Sequence, residues 1–158
     1  MWPFKQKIER FENVKYKDRE KAIRAVRKIR DQDLLIRIVH GYRTDRHVAL
    51  AALEQIQTDH GRCEAAFNIW IHEYNEAKDI YKSIKQFTRE KSDLFEKALS
   101  PVNDPEELQN LLKKMYKIVD RKDFISMVEK YGFGPQAQIY AQQSSWLYRE
   151  KIRPLTDK

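Results

Sequence analysis

A twelve-residue pattern recurs in this chain at an offset of 27. Asp18-Arg19-Glu20-Lys21-Ala22-Ile23-Arg24-Ala25-Val26-Arg27-Lys28-Ile29 aligns with Asp45-Arg46-His47-Val48-Ala49-Leu50-Ala51-Ala52-Leu53-Glu54-Gln55-Ile56, and five of the twelve columns are identical. Apolar residues in each copy return at steps of three and four, the period of one face of an α-helix. Two helices of one design therefore follow each other. Between them, residues 32–42 read as a second apolar helix with Leu34, Leu35, Ile38, Val39 and Tyr42 inward. The unit is helix, turn, helix. One such unit cannot bury its apolar face alone, so the pattern implies a stack of helical pairs.

The punctuation of the remaining chain agrees. Gly41, Gly61, Gly132 and Gly134 fall where helical periodicity breaks, and Pro3, Pro101, Pro105, Pro135 and Pro154 lie near ends or between periodic segments. Both residue types interrupt helices. Asp18, and Thr44 or Asp45, are placed to cap the two repeated helices, the second of which is expected to stop at Gly61. From Arg62 onward Cys63, Ala66, Phe67, Trp70, Ile71, Tyr74, Ala77, Tyr81 and Ile84 keep helical spacing, giving one long helix to about Phe87. The charged stretch around residues 88–94 leaves a kink and a turn both open before Leu94, Phe95, Ala98 and Leu99. Asp104-Pro105-Glu106-Glu107 is the clearest helix start, an acceptor cap followed by proline at the first helical position. Leu108, Leu111, Leu112, Met115 and Val119 then form its buried stripe. At an offset of 89, Leu35, Ile36, Ile38, Val39 and Tyr42 fall on Phe124, Ile125, Met127, Val128 and Tyr131, which suggests a third pair. The last helix starts at Pro135 and carries Ile139, Tyr140, Trp146, Leu147 and Ile152.

The expected fold is all-α: a short right-handed stack of antiparallel helix pairs, about seven or eight helices in one domain over residues 1–158. Residues 1–17 read as an N-terminal cap, 18–43 as repeat 1, 44–100 as repeat 2 with the long helix, 104–132 as repeat 3, and 135–153 as a C-terminal capping helix. A chain of this length buries roughly 70% of its unfolded surface, enough for one continuous core.

The run Asp-x-x-Val-x-x-x-Ala-Leu-x-x-Ile, followed by an Asp-rich turn and a Leu-rich helix, resembles a HEAT-like or armadillo-like α-solenoid repeat. Asp45, Val48, Ala52, Leu53 and Ile56 carry it, with Asp18, Ala25, Val26 and Ile29 in the first copy. The resemblance covers residues 18–60 and, more faintly, 105–131. It implies a scaffold or binding surface, because most such repeats carry no chemistry of their own. Two departures stand out. The period is short for that family, and alanines (Ala22 and Ala49) occupy the place where such repeats often have arginine, so the family's buried Asp–Arg ladder is not expected.

Charge narrows the choice of partner. The net charge is +7, yet residues 1–30 alone hold eleven Lys or Arg against four acids. A localised basic surface suits an anionic partner: phosphate backbone, lipid headgroups or an acidic protein. Lys17, Lys21, Arg24 and Lys28 follow each other at helical steps with Arg27 beside them, and nothing acidic shares the stripe. A solvated face is the commoner fate of such charge; phosphate contact is the functional reading. No sequence-reading motif is present, so nucleic-acid binding would be weakly sequence-specific. Residues 1–14 read first as a cap and second as an interfacial membrane anchor, for which eleven residues after Pro3 bury too little apolar surface.

Other constellations carry less. His60 and Cys63 have ligand-like spacing near His40, His47 and His72, but His72 lies about 180° round the same helix from Cys63, so the ligands do not converge. No metal or cofactor is expected. Cys63 falls in the apolar stripe, where a thiolate nucleophile is disfavoured. Glu73 with Glu76, and Glu106 with Glu107, read as exposed solubility and dipole features. Tyr116 and Tyr148 fall off the main stripes and are interface candidates, with Arg37, His40 and Arg43 on the second helix and Glu73 and Glu76 on the long one. A single cysteine, no apolar membrane-length run and no signal-peptide core point to a soluble cytoplasmic protein. The expected function is a non-enzymatic protein–protein interaction module; the alternative is a nucleic-acid-binding accessory protein using the basic stripe.

Overall fold

A computed structural model describes residues 19–41, 45–81, 93–119 and 135–156, with positions 122, 125, 126 and 129 between the last two stretches. Every regular element among the described residues is helical. In chain order they are α1 (Arg19–Arg27), α2 (Gln32–Gly41), α3 (Arg46–Gln55), α4 (Asp59–Tyr81), α5 (Asp93–Leu99), α6 (Pro105–Val119) and α7 (Pro135–Trp146). One π-helical turn, Leu147–Ile152, and a last short helix, α8 (Arg153–Thr156), follow. No helix among the described residues is long and apolar enough to cross a membrane.

α3, α5 and α6 bury the stripe their spacing dictates, whereas α4 buries Cys63, Ala65, Ala66, Ile69 and Trp70 and leaves Phe67 and Ile71, expected inward, half-buried. In α3 Val48, Ala49, Ala52, Leu53 and then Ile56 are inside, in α5 Leu94, Phe95, Ala98 and Leu99, and in α6 Leu108, Leu111, Leu112 and Met115. α2 buries Ile36 as well as Leu34, Leu35, Ile38 and Val39, so it is covered on most sides. Helix contacts run in steps of one and two: α1 lies on α3, α2 on α3 and α4, and α4 on α5 and α6, with a lighter contact from α3 to α5. α7 packs on α4, and the π-helical turn seats against α6.

Several boundaries differ from the spacing-based expectation, each for a local reason. α1 ends at Arg27, where the Lys28 and Ile29 amides reach back only three residues, to the Ala25 and Val26 carbonyls. α2, by contrast, begins at Gln32 as its spacing indicates, and Asp31 caps it, its Oδ1 accepting from the Leu34 amide at 3.1 Å. Gly61 does not stop a helix; it sits in the first turn of α4. A Cβ there would lie 2.8 Å from Thr58 Oγ1 and 3.0 Å from the Ile56 side chain, so glycine serves close approach at the α3–α4 turn. α4 and α5 pack against each other, so they are two helices and not one continuous one. Of the third-pair echo only Ile125 is described; aligned with buried Ile36, it is 47% exposed. Asp18, Tyr42, Thr44, the rest of that echo and the segment 1–14 lie outside the described residues.

Long-range side-chain bonds lock the turns. Gln32 donates from Nε2 to the Arg30 and Gln55 carbonyls, at 3.1 and 3.3 Å, and accepts the Gln57 amide on Oε1 at 2.8 Å. Asp59 Oδ2 accepts the Asn103 and Asp104 amides at 3.1 and 2.9 Å, and Asp104 in turn caps α6 through the Glu106 amide. Lys151 donates to the Ser100 carbonyl at 2.9 Å, and burial lowers the pKa of its ammonium.

Asp45, only 6% exposed, joins the two copies of the repeat. Its Oδ1 accepts from the His47 and Val48 amides at the start of α3, while Oδ2 accepts from Arg19 Nε on α1 at 3.0 Å. An Asp–Arg pair between repeat units does form, with Arg19 following the first capping position and not the site held by Ala22. Asp45→Ala is expected to lower stability by about 1–2 kcal/mol, the usual worth of an N-cap. Asp45→Asn keeps the cap acceptor and should recover the cap's share of that in urea unfolding, leaving only the loss of the half-buried pair with Arg19. Equal losses in the two variants would assign the effect to Arg19 instead.

Candidate functional site

α2, α4 and α6 lie side by side. At 100° per residue, His72 on α4 points toward α2 and His60 and Phe67 point toward α6, leaving Glu64, Asn68 and Ile71 on the ridge between. The contacts agree. The His72 ring meets the His40 ring of α2 edge-on with centroids 6.3 Å apart. Lys114 of α6 places its ammonium 5.6 Å from the centroid of Phe67. Arg37 and His40 are exposed on α2, and Lys113, Lys114 and Lys117 on α6. The three helices thus share a surface with a polar rim. Arg43 and the side chains of Glu73 and Glu76 lie outside the described residues.

At the α4–α6 seam, His60 bonds Glu107 Oε2 through Nδ1 at 3.0 Å and Glu64 Oε1 through Nε2 at 2.9 Å. Glu107 is therefore more than a dipole feature. The hydrogen bond to Glu107 is the largest cause holding the imidazole above its usual range. Cys63 lies beneath, lining with His60, Glu64, Glu107 and Lys114 a cavity of about 10 Å³, room for no more than about one water. Burial pushes its thiol up to about 12. Near neutral pH the native thiol should therefore react with a maleimide on the order of a thousandfold more slowly than in the denatured chain. Comparable rates in the two states, read by mass spectrometry, would place the sulfur in solvent. Among the described residues no group of three or more His, Cys, Asp or Glu side chains is arranged to hold a metal ion.

An aromatic chain runs from half-buried Phe67 through the core and out again: Phe67 to Trp70 at 6.0 Å, Trp70 to Tyr140 of α7 at 6.4 Å, and Tyr140 to Tyr116 of α6 at 6.0 Å between centroids. Tyr116 ends it at the surface, 47% exposed; Tyr148, in the π-helical turn, is 53% exposed. An open groove of about 350 Å³ between α5 and α7 is lined by Glu96, Gln142, Gln143, Trp146 and Arg149 among others. Its size matches small-molecule sites, but its walls are more polar than such sites usually are.

The basic stripe falls where helical spacing put it. Lys21, Arg24, Arg27 and Lys28 are exposed on α1 and just beyond its end, and among the described residues no carboxylate pairs with them. Lys17 lies outside the described residues. Arg62 went unread in the sequence: it donates from Nε to the Ile56 carbonyl at 3.0 Å and from a terminal nitrogen to the Ala98 carbonyl at 3.3 Å. Burial lowers its pKa. Comparisons of the chain with protein-family models, with curated proteins and with solved structures found no significant match.

Proposed function

We propose that the chain is a non-enzymatic, cytoplasmic protein-interaction module, a short right-handed stack of antiparallel helix pairs of the HEAT-like kind. The observation that carries this is the order of helix contacts. α1, α3 and α5 fall in one row and α2, α4 and α6 in another, each helix touching the next but one, as in solenoid repeats. A row of parallel helix ridges offers an extended docking face, and the α2–α4–α6 row presents Arg37, His40, Ile71 and the lysines of α6 to a partner protein.

A photo-crosslinking side chain placed in turn at Arg37, Asn68, Lys117 and, as control, Lys21 tests it in extract of the source cell. One protein adduct shared by the three row positions, absent at Lys21 and competed by unmodified chain, supports the reading. Adducts of unrelated size at every position would sink it.

A second reading rests on a separate observation, the four cations Lys21, Arg24, Arg27 and Lys28, which no carboxylate among the described residues neutralises. Such a stripe can follow a phosphate backbone, with affinity that falls steeply as salt rises. Duplex DNA and single-stranded RNA binding across a salt series, for the wild type and for Lys21→Glu/Arg24→Glu/Lys28→Glu, separates the two. Salt-sensitive binding lost in the triple variant favours nucleic acid. No binding, or binding the variant keeps, leaves the stripe solvated.

A further inference from the structure

His60 has a carboxylate oxygen at each ring nitrogen, Glu107 Oε2 at 3.0 Å from Nδ1 and Glu64 Oε1 at 2.9 Å from Nε2. A neutral imidazole carries one N–H, and only the imidazolium donates from both nitrogens. The two acceptors belong to different helices. Glu64 stands one turn along α4 and Glu107 in the first turn of α6. We propose that His60 is a proton-operated latch on the α4–α6 seam, closed while the ring is doubly protonated and loosened when it is neutral. Once a proton leaves, one nitrogen turns a lone pair toward a carboxylate. A bare Nδ1 loses the bond between helices; a bare Nε2 loses the hold of Glu64 that aims the ring at Glu107.

The surroundings leave the latch to these three groups. Among the described residues Glu107 and Glu64 are the charges acting on the ring, and the described side chains of α2, α5 and α7, the other helices on α4, bring none to it. Asp59 is taken up by the Asn103 and Asp104 amides and Asp104 by the cap of α6. Lys114 lies over Phe67, and the Cys63 thiol is neutral at physiological pH. The two ring nitrogens face apart, so their carboxylates do not converge on one cation. Since the folded imidazole is held above its ordinary value, the latch contributes fully below the unfolded histidine pKa of about 6.5, provided the carboxylates stay ionised. Its contribution is lost as pH rises through the raised folded value. The latch stands whether or not a partner docks on the neighbouring face.

Cys63 is the only cysteine in the chain and lies under the latch, so its modification by a maleimide reports opening of the seam. Wild type and His60→Gln are compared at each pH, which cancels the reagent's own pH dependence. The variant should react several-fold faster at about pH 6, and the ratio should fall toward one as pH rises through the raised folded value of the ring. Ring-nitrogen NMR of the wild type should show both His60 nitrogens protonated at the lower pH, with a midpoint that falls in Glu107→Gln and Glu64→Gln. A ratio that does not change with pH, or a wild-type midpoint at or below about 6.5, overturns the latch. A shift of the His60 signals on adding zinc alone overturns it too, in favour of a metal site. Should His60→Gln fail to fold, the NMR midpoints of the wild type and the two glutamine variants decide alone.

Discussion

Trp70→Ala is expected to destabilise the chain by about 3–5 kcal/mol, the cost of removing a fully buried indole. A domain of this size has about 5–15 kcal/mol in all, so the variant should be partly unfolded well below the wild-type midpoint. Trp70 has no exposed surface and stands where α4 meets α7, its ring against Phe67 and Tyr140. Alanine leaves a void that neither rigid helix can close, and Tyr140 loses the ring that holds it toward Tyr116. Urea unfolding followed by far-ultraviolet circular dichroism gives the loss, and Trp70→Phe should recover part of it. A deficit under about 1 kcal/mol would mean that α7 closes over the gap, contrary to the packing described.

Arg62→Met is expected to cost about 2–4 kcal/mol while keeping most of the side-chain volume. The guanidinium satisfies the Ile56 carbonyl just beyond α3 and the Ala98 carbonyl in the last turn of α5. Helix ends leave such carbonyls without intrahelical partners, and bonds from a charged donor contribute about 1.5–3 kcal/mol each. Amide exchange should quicken in α5 before it quickens in α6, because α5 is short and depends on this tether. A loss below about 0.5 kcal/mol would show that water replaces the guanidinium at both carbonyls.

Arg62 also shows which parts of this molecule can be read along the chain. Periodicity reports burial, so the inward faces of α3, α5 and α6 and the outward charge of α1 were legible, as was the Asp104-Pro105 start, whose signal is contained in four residues. Arg62, Asp59 and Gln32 act on backbone atoms 6 to 45 positions away. Nothing in a single sequence ties such a donor to its acceptor. Gly61 was read by its commonest use, a helix stop, when its role is set by Thr58 and Ile56 pressing on it. The surface shared by α2, α4 and α6 was half visible: Arg37 and His40 announce themselves by spacing, whereas His60 meets Glu107 across 47 residues. Ile125 marks the limit of internal similarity, since an aligned apolar residue is buried only if a neighbouring helix covers it.

The π-helical turn at Leu147–Ile152 puts its two buried side chains five residues apart. Five steps of an α-helix separate directions by about 140°, which would send one of them into solvent. The widened turn brings both inward. Residues 135–146 and 153–156 therefore keep independent angular phase: the first stretch is set by α4, the second by whatever Ile152 anchors. Deleting one residue from 148–150 would restore a uniform helix in which Leu147 and Ile152 stand four steps apart, about 40° round the axis, with both still inward and Lys151 still on the side of the Ser100 carbonyl it ties down.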